Sequence, residues 1–538
     1  MFYRFWLLLT KNMQRVTQHT KELMLSEFIA AFNNRLNGFK SLNSGTINEI
    51  FTILHSMLDP YMIKFSHDAR GVLESIRALQ ELHPTANIPG RMRIVLKTRR
   101  NHADFRHELV RVCNGLVIVI EETETCLKCR TLAIPVKEVN QSLQNPSIEH
   151  YLKLGKYDIY PIKDGTVLNL YYDNAHAWEE NNEVRYGRWY YGSRNAFNVE
   201  GISWRGHQYR TVIDQLIACY PNFDLKKLDT KCTYTIGIRH PAFHPFNQPA
   251  EWTETSTFDD GKNWHKEMWL IDVTHYAEDG TVTARDDTYK LPDIGIPIQR
   301  PVTLELNMNM IRRYCAISLD VFLGTNASNR RATDSPPEPN DLPPECELFA
   351  AQSKTPKPIF LGYILRLKPS ALAEESNCVS QDIIIESRFW TEIRNMIYES
   401  PSTTARDKSN KAVHFRDVRY MVLHNYMNRT RLPYFLRILP QYGALYTRQD
   451  RMVTCILDMI YELLSGAAPP KNESDEVKTW RTSYASLADQ LAPIIRKEYD
   501  VRRGTKIDKK VVATDKAMIR DLLVHLKYLD VFYEGMYP

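Results

Sequence analysis

The sequence predicts an α+β protein in which an antiparallel-sheet domain is flanked by N-terminal and C-terminal helical regions. Three observations carry that prediction. From Met92 onward, short β-branched and aromatic runs (RIVLK, GLVIVI, TLAIPV, VLNLYY, YTIGI) follow one another between polar or Gly/Asn turns, which is the texture of a mainly antiparallel sheet. Before them, apolar residues recur at helical spacing through Met24, Phe28, Phe32 and Leu36 and again through Ile50, Ile53, Leu54 and Leu58, so residues 12 to about 88 are expected to be helical. After Arg388 the period becomes helical again, with helices expected near 388–399, 413–437, 449–465, 475–498 and 514–533.

These shifts divide the chain into an N-terminal helical region (1–90), a sheet domain (91–400) and a C-terminal helical domain (401–538). At 538 residues the chain is too long for a single core, so several domains are expected. Asn326 to Lys357 holds a cluster of prolines and few apolar residues before Leu348. It reads as a Pro-rich insertion near 326–357, a long exposed loop between strands.

Composition excludes little. The chain is 43% hydrophobic and 25% charged, ordinary for a folded protein. A net charge of +5 is mild at this length and neither predicts nor excludes nucleic-acid binding. The apolar run Phe5 to Leu9 is too short to span a bilayer and no small-residue cleavage site follows it, so no membrane association is expected and the location is read as intracellular and cytoplasmic. Nine cysteines without a paired framework fit a reducing compartment. Cys126 and Cys129 have half the spacing of a zinc knuckle but no matching second pair. His240 and His244 lie four apart with His265 later, yet Pro241 and Pro245 break any helix that would align them. No metal site is assigned.

Several sheet segments carry chemistry by their order. VRVCNGLVIVI is followed by TLAIPVKEVN, then YDIYPIKDGTVLNLYY, GRWYYGSRNAFNV with Trp189 and the Gly192-Ser193-Arg194 turn, KCTYTIGIRHPAFHPF, IFLGYILRLKP and DIIIESRFW. This succession resembles the motifs of covalent nucleotidyltransferases, the superfamily of polynucleotide ligases and capping enzymes, and most of all the phage-type RNA ligases. Sequences of this type look like those of large DNA viruses.

The resemblance implies a Lys-x-Asp-Gly motif whose lysine attacks the α-phosphate of a nucleotide. Only a nitrogen nucleophile of depressed pKa serves there. Asp164 and Gly165 match, but Ile162 stands at the nucleophile position and Lys163 comes one residue late. Strand alternation predicts that Lys163 points away from the pocket that Ile162 would face. The other implied positions are also altered. Asn114 replaces an arginine and Gly237 the glutamate that would bind the nucleotide sugar. Leu361, beside the matching Gly362, replaces an acidic metal-binding residue, while Ile384 and Glu386, before Ser387, replace two phosphate-binding lysines. Taken alone, Asp164-Gly165 is also an ordinary turn signal.

The expectation is therefore a catalytically inactive RNA ligase-like protein, a pseudoenzyme acting as a nucleic-acid-binding or scaffolding component with no cofactor. Two alternatives stand beside it: an active RNA ligase or nucleotidyltransferase using Lys163 as a displaced nucleophile with ATP and Mg, and a structural protein of a viral particle or complex. RNA or DNA and protein partners are both compatible with these readings. The nucleic-acid-binding candidates are Arg194, Arg429, Arg431, Arg502, Arg503, Lys506, Lys509 and Lys510. Basic residues of this kind line phosphate surfaces, and Tyr426, Tyr434 and Tyr442 offer rings for stacking. The same residues also fit a solvated helix face.

Overall fold

A computed structural model describes residues 23–86, 88–98, 107–136, 149, 152–204, 207–243, 266–283, 289–302, 307–316, 347–349, 357–359, 361–368, 383–388, 390–391, 443–470 and 473–503. The expected helices at 413–437 and 514–533 and most of that at 388–399 lie outside them.

The first layer is a four-stranded antiparallel sheet of order β1-β2-β3-β4, formed by Ile63–His67, Arg91–Thr98, Asn114–Glu122 and Leu127–Ala133. Helices α1 (Leu25–Leu36) and α2 (Ser44–Leu58) cover one face. Leu25, Phe28, Phe32 and Leu36 of α1 and Ile50, Leu54 and Leu58 of α2 recur at helical spacing and are fully buried against Ile94, Leu96, Leu116, Ile118 and Ile120. The α1 amide of Leu25 donates to the Glu108 carboxylate at 3.3 Å, placing a negative charge at the positive end of that helix. Asn43 caps α2 by accepting from the Thr46 amide. Helices α3 (Ala69–Leu82) and α4 (Glu108–Val112) flank β2 and β3.

The second sheet has order β11-β10-β6-β7, built from β6 (Thr166–Glu180), β7 (Glu183–Gly192), β10 (Cys232–Arg239) and β11 (Glu267–His275). Val95, Val117, Val119, Leu132 and Ala133 of the first sheet pack on Tyr171 and Tyr190 of this one. Strands β2 and β3 are thus buried on both faces, which is why RIVLK and GLVIVI read as unbroken apolar runs. On the far side, α5 (Tyr209–Ile217), reached through the short pair β8 (Ser203–Trp204) and β9 (His207–Gln208), seats Val212, Ile213 and Leu216 against Leu168, Leu170, Ile236, Ile238 and Leu270.

A third sheet, β15-β14-β5, joins Tyr157–Pro161 (β5), Gly362–Leu367 (β14) and Ile383–Glu386 (β15). Helix α6 (Met308–Cys315) packs Met308, Ile311 and Cys315 on Ile159, Tyr363, Leu365, Ile383 and Ile385. Strands β12 (Glu347–Phe349) and β13 (Lys357–Ile359) pair antiparallel. Toward the C-terminus α7 (Gly443–Ser465) and α8 (Asp475–Arg503) pack together, and Arg481 forks onto Glu462 at 2.7 and 2.8 Å. The architecture is α+β with antiparallel sheets.

Two expectations are corrected. Within 12–88, residues Ile63–His67 form a strand rather than helix. Asp59-Pro60 ends α2, Met62 takes a left-handed φ of 56° that no helix tolerates, and the segment then pairs in register with Thr98 through Ile94 of β2. Within 326–357, Glu347–Phe349 is strand, because it pairs antiparallel with Lys357–Ile359.

Between the first and second sheets lies a network of buried charge. Asp173, with a fully buried side chain, accepts both bonds of 2.7 Å from Arg91 Nη2, with Arg93 at 3.8 Å and Arg130 at 4.0 Å. Arg130 forks onto Glu121 at 2.8 and 3.0 Å, and Arg93 pairs with Asp68 at 2.7 Å. The Arg93 guanidinium also lies over Tyr190 at 4.4 Å and Phe197 at 4.7 Å. His176, in the irregular stretch of β6 after Asp173, lines the adjoining cavity of about 480 Å³. Burial first, then the Arg93 charge, holds its imidazole down at about 4. The folded state keeps this ring neutral while the unfolded chain takes up its proton, so stability should fall as pH drops from about 6.5 toward about 4 and be indifferent to this group above that window. Urea midpoints across that range should decline less steeply in His176→Gln than in the parent; identical slopes would show that the ring contributes nothing.

Candidate functional site

The third sheet hands the chain to the second through four residues. β5 ends at Pro161, Ile162 to Gly165 make the connection, and β6 begins at Thr166. The Ile162 amide donates to the Gly362 carbonyl at 2.9 Å, and the Ser387 amide donates to Leu361 at 2.9 Å. Gly362 pairs in register with Glu386. Its φ is +126°, and a Cβ there would overlap the Ile385 carbonyl oxygen, so both conformation and crowding require glycine. Leu361 is buried, whereas Ile384 and Glu386 share the less buried face of β15, opposite the core-facing Ile383 and Ile385. The three segments around Asp164-Gly165, Leu361-Gly362 and Ile384 to Ser387 therefore meet at one place.

From the second sheet, Gly237 of β10 stands opposite Trp269 of β11 and Val167 of β6. The Trp269 indole lies against two glycines at once: a Cβ on Gly237 or on Gly165 would overlap it. It is 2% exposed, and its Nε1 has no hydrogen-bond partner among the described residues. The space that a side chain at position 237 would enter is filled by the indole.

Lys163 corrects the alternation argument. Its Nζ forms an ion pair of 2.7 Å with Glu267 and lies 5.0 Å from the Trp269 ring. Glu267 and Trp269 are two apart on β11, so Lys163 reaches the face that Gly237 would line. The strand has already ended at Pro161, and a residue in the connection is not bound by the two-residue period. Arg239 completes the group: Nη1 lies 3.4 Å from Glu267, Nε donates to the Asp164 carbonyl at 2.9 Å, and the guanidinium sits 5.8 Å from the Trp269 ring. One acid is thus flanked by two cations beside an aromatic plane.

The strand carrying Asn114 meets the Gly192-Ser193-Arg194 turn. A Cβ on Gly115, at φ +105°, would lie 2.9 Å from the Ser193 carbonyl and 3.2 Å from Arg194 Cα. Arg194 Nη2 donates to the Thr98 carbonyl at 3.3 Å. His240 is fully buried, with Nε2 3.0 Å from Gln215 and Nδ1 accepting from the Ala242 amide, which ties the exit of β10 to α5. Arg502 and Arg503 lie in the last turn of α8. Arg429, Arg431, Lys506, Lys509 and Lys510 lie outside the described residues, as do His244 and His265.

No family model matches the chain. Among known proteins, it is 21% identical over 457 residues to a protein of African swine fever virus, Badajoz strain, named "Putative RNA-ligase", covering 80% of this chain and 87% of that one. A protein of the same name from the Pretoriuskop tick isolate is 22% identical over 386 residues, 68% of this chain and 71% of its own. One from a Malawi tick isolate reaches 26% over 240 residues, 40% of this chain and 50% of the relative. The chain is thus distantly similar to viral proteins that carry the RNA-ligase name. African swine fever virus is a large DNA virus, so these relatives come from the kind of source whose sequences this chain was expected to resemble.

Sequence reasoning missed Trp269, Glu267 and Arg239. A mid-strand glycine is a signal that something else approaches closely. Identifying the approaching group required the register that sets Gly237 against Trp269 and Arg239 against Glu267.

Proposed function

We propose that this chain is an RNA-ligase-like pseudoenzyme: it keeps the nucleotidyltransferase-type cleft as a framework, has given up covalent nucleotidyl transfer, and acts by binding nucleic acid or by scaffolding. The observation that carries the proposal is the indole of Trp269 lying over Gly165 and Gly237, in a chain with Ile162 where the resemblance implies the nucleophile. An isoleucine cannot form the phosphoramidate that a lysine forms. Glu386 adds negative charge where the family resemblance implies cations that hold a triphosphate.

One observation favours a second reading, an active enzyme with a displaced lysine: Lys163 lies on the cleft side, 2.7 Å from Glu267. Such an enzyme would take ATP and magnesium. Purified protein incubated with α-labelled ATP, and separately GTP, in magnesium or manganese should give no labelled band after denaturing electrophoresis. An acid-labile, alkali-stable band that disappears in Lys163→Ala would overturn the pseudoenzyme reading in favour of the second. In the same preparation, RNA or DNA binding that weakens steeply with salt supports the nucleic-acid role. Salt-insensitive association with protein alone supports scaffolding, including a place in a viral particle or complex.

A further inference from the structure

We propose that Asp229, Cys232 and His275 form a zinc-binding clip at the end of the β10–β11 pair remote from the cleft. Cys232 opens β10, His275 closes β11, and the antiparallel register sets the two directly opposite one another. Sγ of Cys232 lies 3.0 Å from Nδ1 of His275. A carboxylate oxygen of Asp229, in the turn that leads into β10, completes a set whose three ligand atoms all lie within 4.8 Å of one another.

The chemistry of the set selects the metal. A soft thiolate, a borderline imidazole and a hard carboxylate together suit the borderline ion Zn²⁺ in tetrahedral geometry, with bonds of about 2.3 Å to sulfur and about 2.0–2.2 Å to nitrogen and oxygen. The oxygen-only preference of Mg²⁺ or Ca²⁺ does not fit them. Three protein ligands leave the fourth corner to solvent, and the exposed Asp229 opens the site to the surface.

At 3.0 Å the Cys232 thiol and the His275 Nδ1 are within hydrogen-bond reach of one another. Zinc binding displaces the thiol proton: Cys232 becomes a thiolate, its sulfur and the lone pair of neutral His275 donate to zinc, and one proton leaves to solvent. Outer groups hold the ligands in place. The Tyr289 hydroxyl lies 3.5 Å from His275 Nε2, the Asp229 carboxylate accepts from the Lys231 amide at 2.9 Å, and the Asp229 amide donates to the Tyr234 hydroxyl at 2.8 Å. Cys232 stands ~17 Å along β10 from Gly237 at 3.4 Å per residue, so the clip does not depend on whether the cleft is active.

The test is metal content and Co²⁺ spectroscopy on the full chain. Protein freed of metal by chelator and then exposed to ZnCl₂ should retain one zinc per chain after desalting and gain thermal stability. CoCl₂ in its place should give the sulfur-to-cobalt charge-transfer absorption of a tetrahedral thiolate site. Cys232→Ser and His275→Gln, both close in size to the parent residues, should weaken zinc affinity by about 100-fold or more and abolish or shift that band, while Cys126→Ser leaves both unchanged. No stoichiometric zinc in the folded parent protein, or zinc retained at parental affinity by the Cys232→Ser/His275→Gln double variant, would overturn the proposal.

Discussion

Replacing Asp173 by alanine should destabilise the protein by about 3–5 kcal/mol, the usual cost of removing one partner from a buried ion-pair network. The carboxylate has no solvent exposure and sits among three guanidinium groups, at 2.7 Å from Arg91, 3.8 Å from Arg93 and 4.0 Å from Arg130. Around them stand three acids, Asp68, Glu121 and Asp173 itself, so the cluster is electrically balanced only while Asp173 is present. Its loss leaves Arg91, 2% exposed, with its two shortest hydrogen bonds gone and a desolvated charge to satisfy. The effect spreads across both sheets, because Arg91 belongs to β2 and Asp173 to β6. Urea unfolding reads it directly. Asp173→Asn keeps the shape and one acceptor, so it should fall between the parent and alanine variants. A loss below about 1 kcal/mol for the alanine variant would mean that water enters and solvates the arginines.

How much of this was legible in the sequence depends on how local each signal is. Strands β2, β3, β6 and β10 were readable because burial on both faces turns them into β-branched runs, and α1, α2, α7 and α8 because one apolar stripe repeats every three or four residues. Part of the candidate site was legible in the same way. Asp164-Gly165, Leu361-Gly362 and Ser387 carry family likeness in short windows, and the structure brings those windows together through Ile162–Gly362 and Ser387–Leu361 hydrogen bonds. What was not legible is set by register. Trp269 covers Gly237 because two strands align at that pair, and Cys232 faces His275 for the same reason, although 43 positions separate them. Strand β1 was hidden because five residues between two helices carry too few alternations to outweigh the helical pattern around them. Lys163 escapes the period-two rule because it stands two residues past the end of its strand at Pro161.

The pairing of Trp269 with Gly237 makes the second large effect, and a double-mutant cycle isolates it. Trp269→Ala empties a site that is 2% exposed and should cost about 3–5 kcal/mol. Gly237→Ala alone forces a methyl group into the indole and should cost about 1–3 kcal/mol, despite the lower chain entropy that alanine brings to a strand. Once the indole is gone, the added methyl lies in the space it left, so Gly237→Ala in the Trp269→Ala background should be neutral or stabilising. The coupling, about 2 kcal/mol and opposite in sign to the single cost, is large for a residue pair because the two side chains compete for one volume. The cycle bears on function through that volume. If the indole closes the nucleotide pocket of a ligase-like cleft, the parent protein should show no heat of ATP binding by calorimetry, while Trp269→Ala, confirmed as folded, should bind ATP weakly and non-covalently. Additive stability changes would show that the indole does not crowd Gly237. ATP binding by the parent at the same affinity as the variant would show that the nucleotide, if it binds, sits elsewhere than over Gly165 and Gly237.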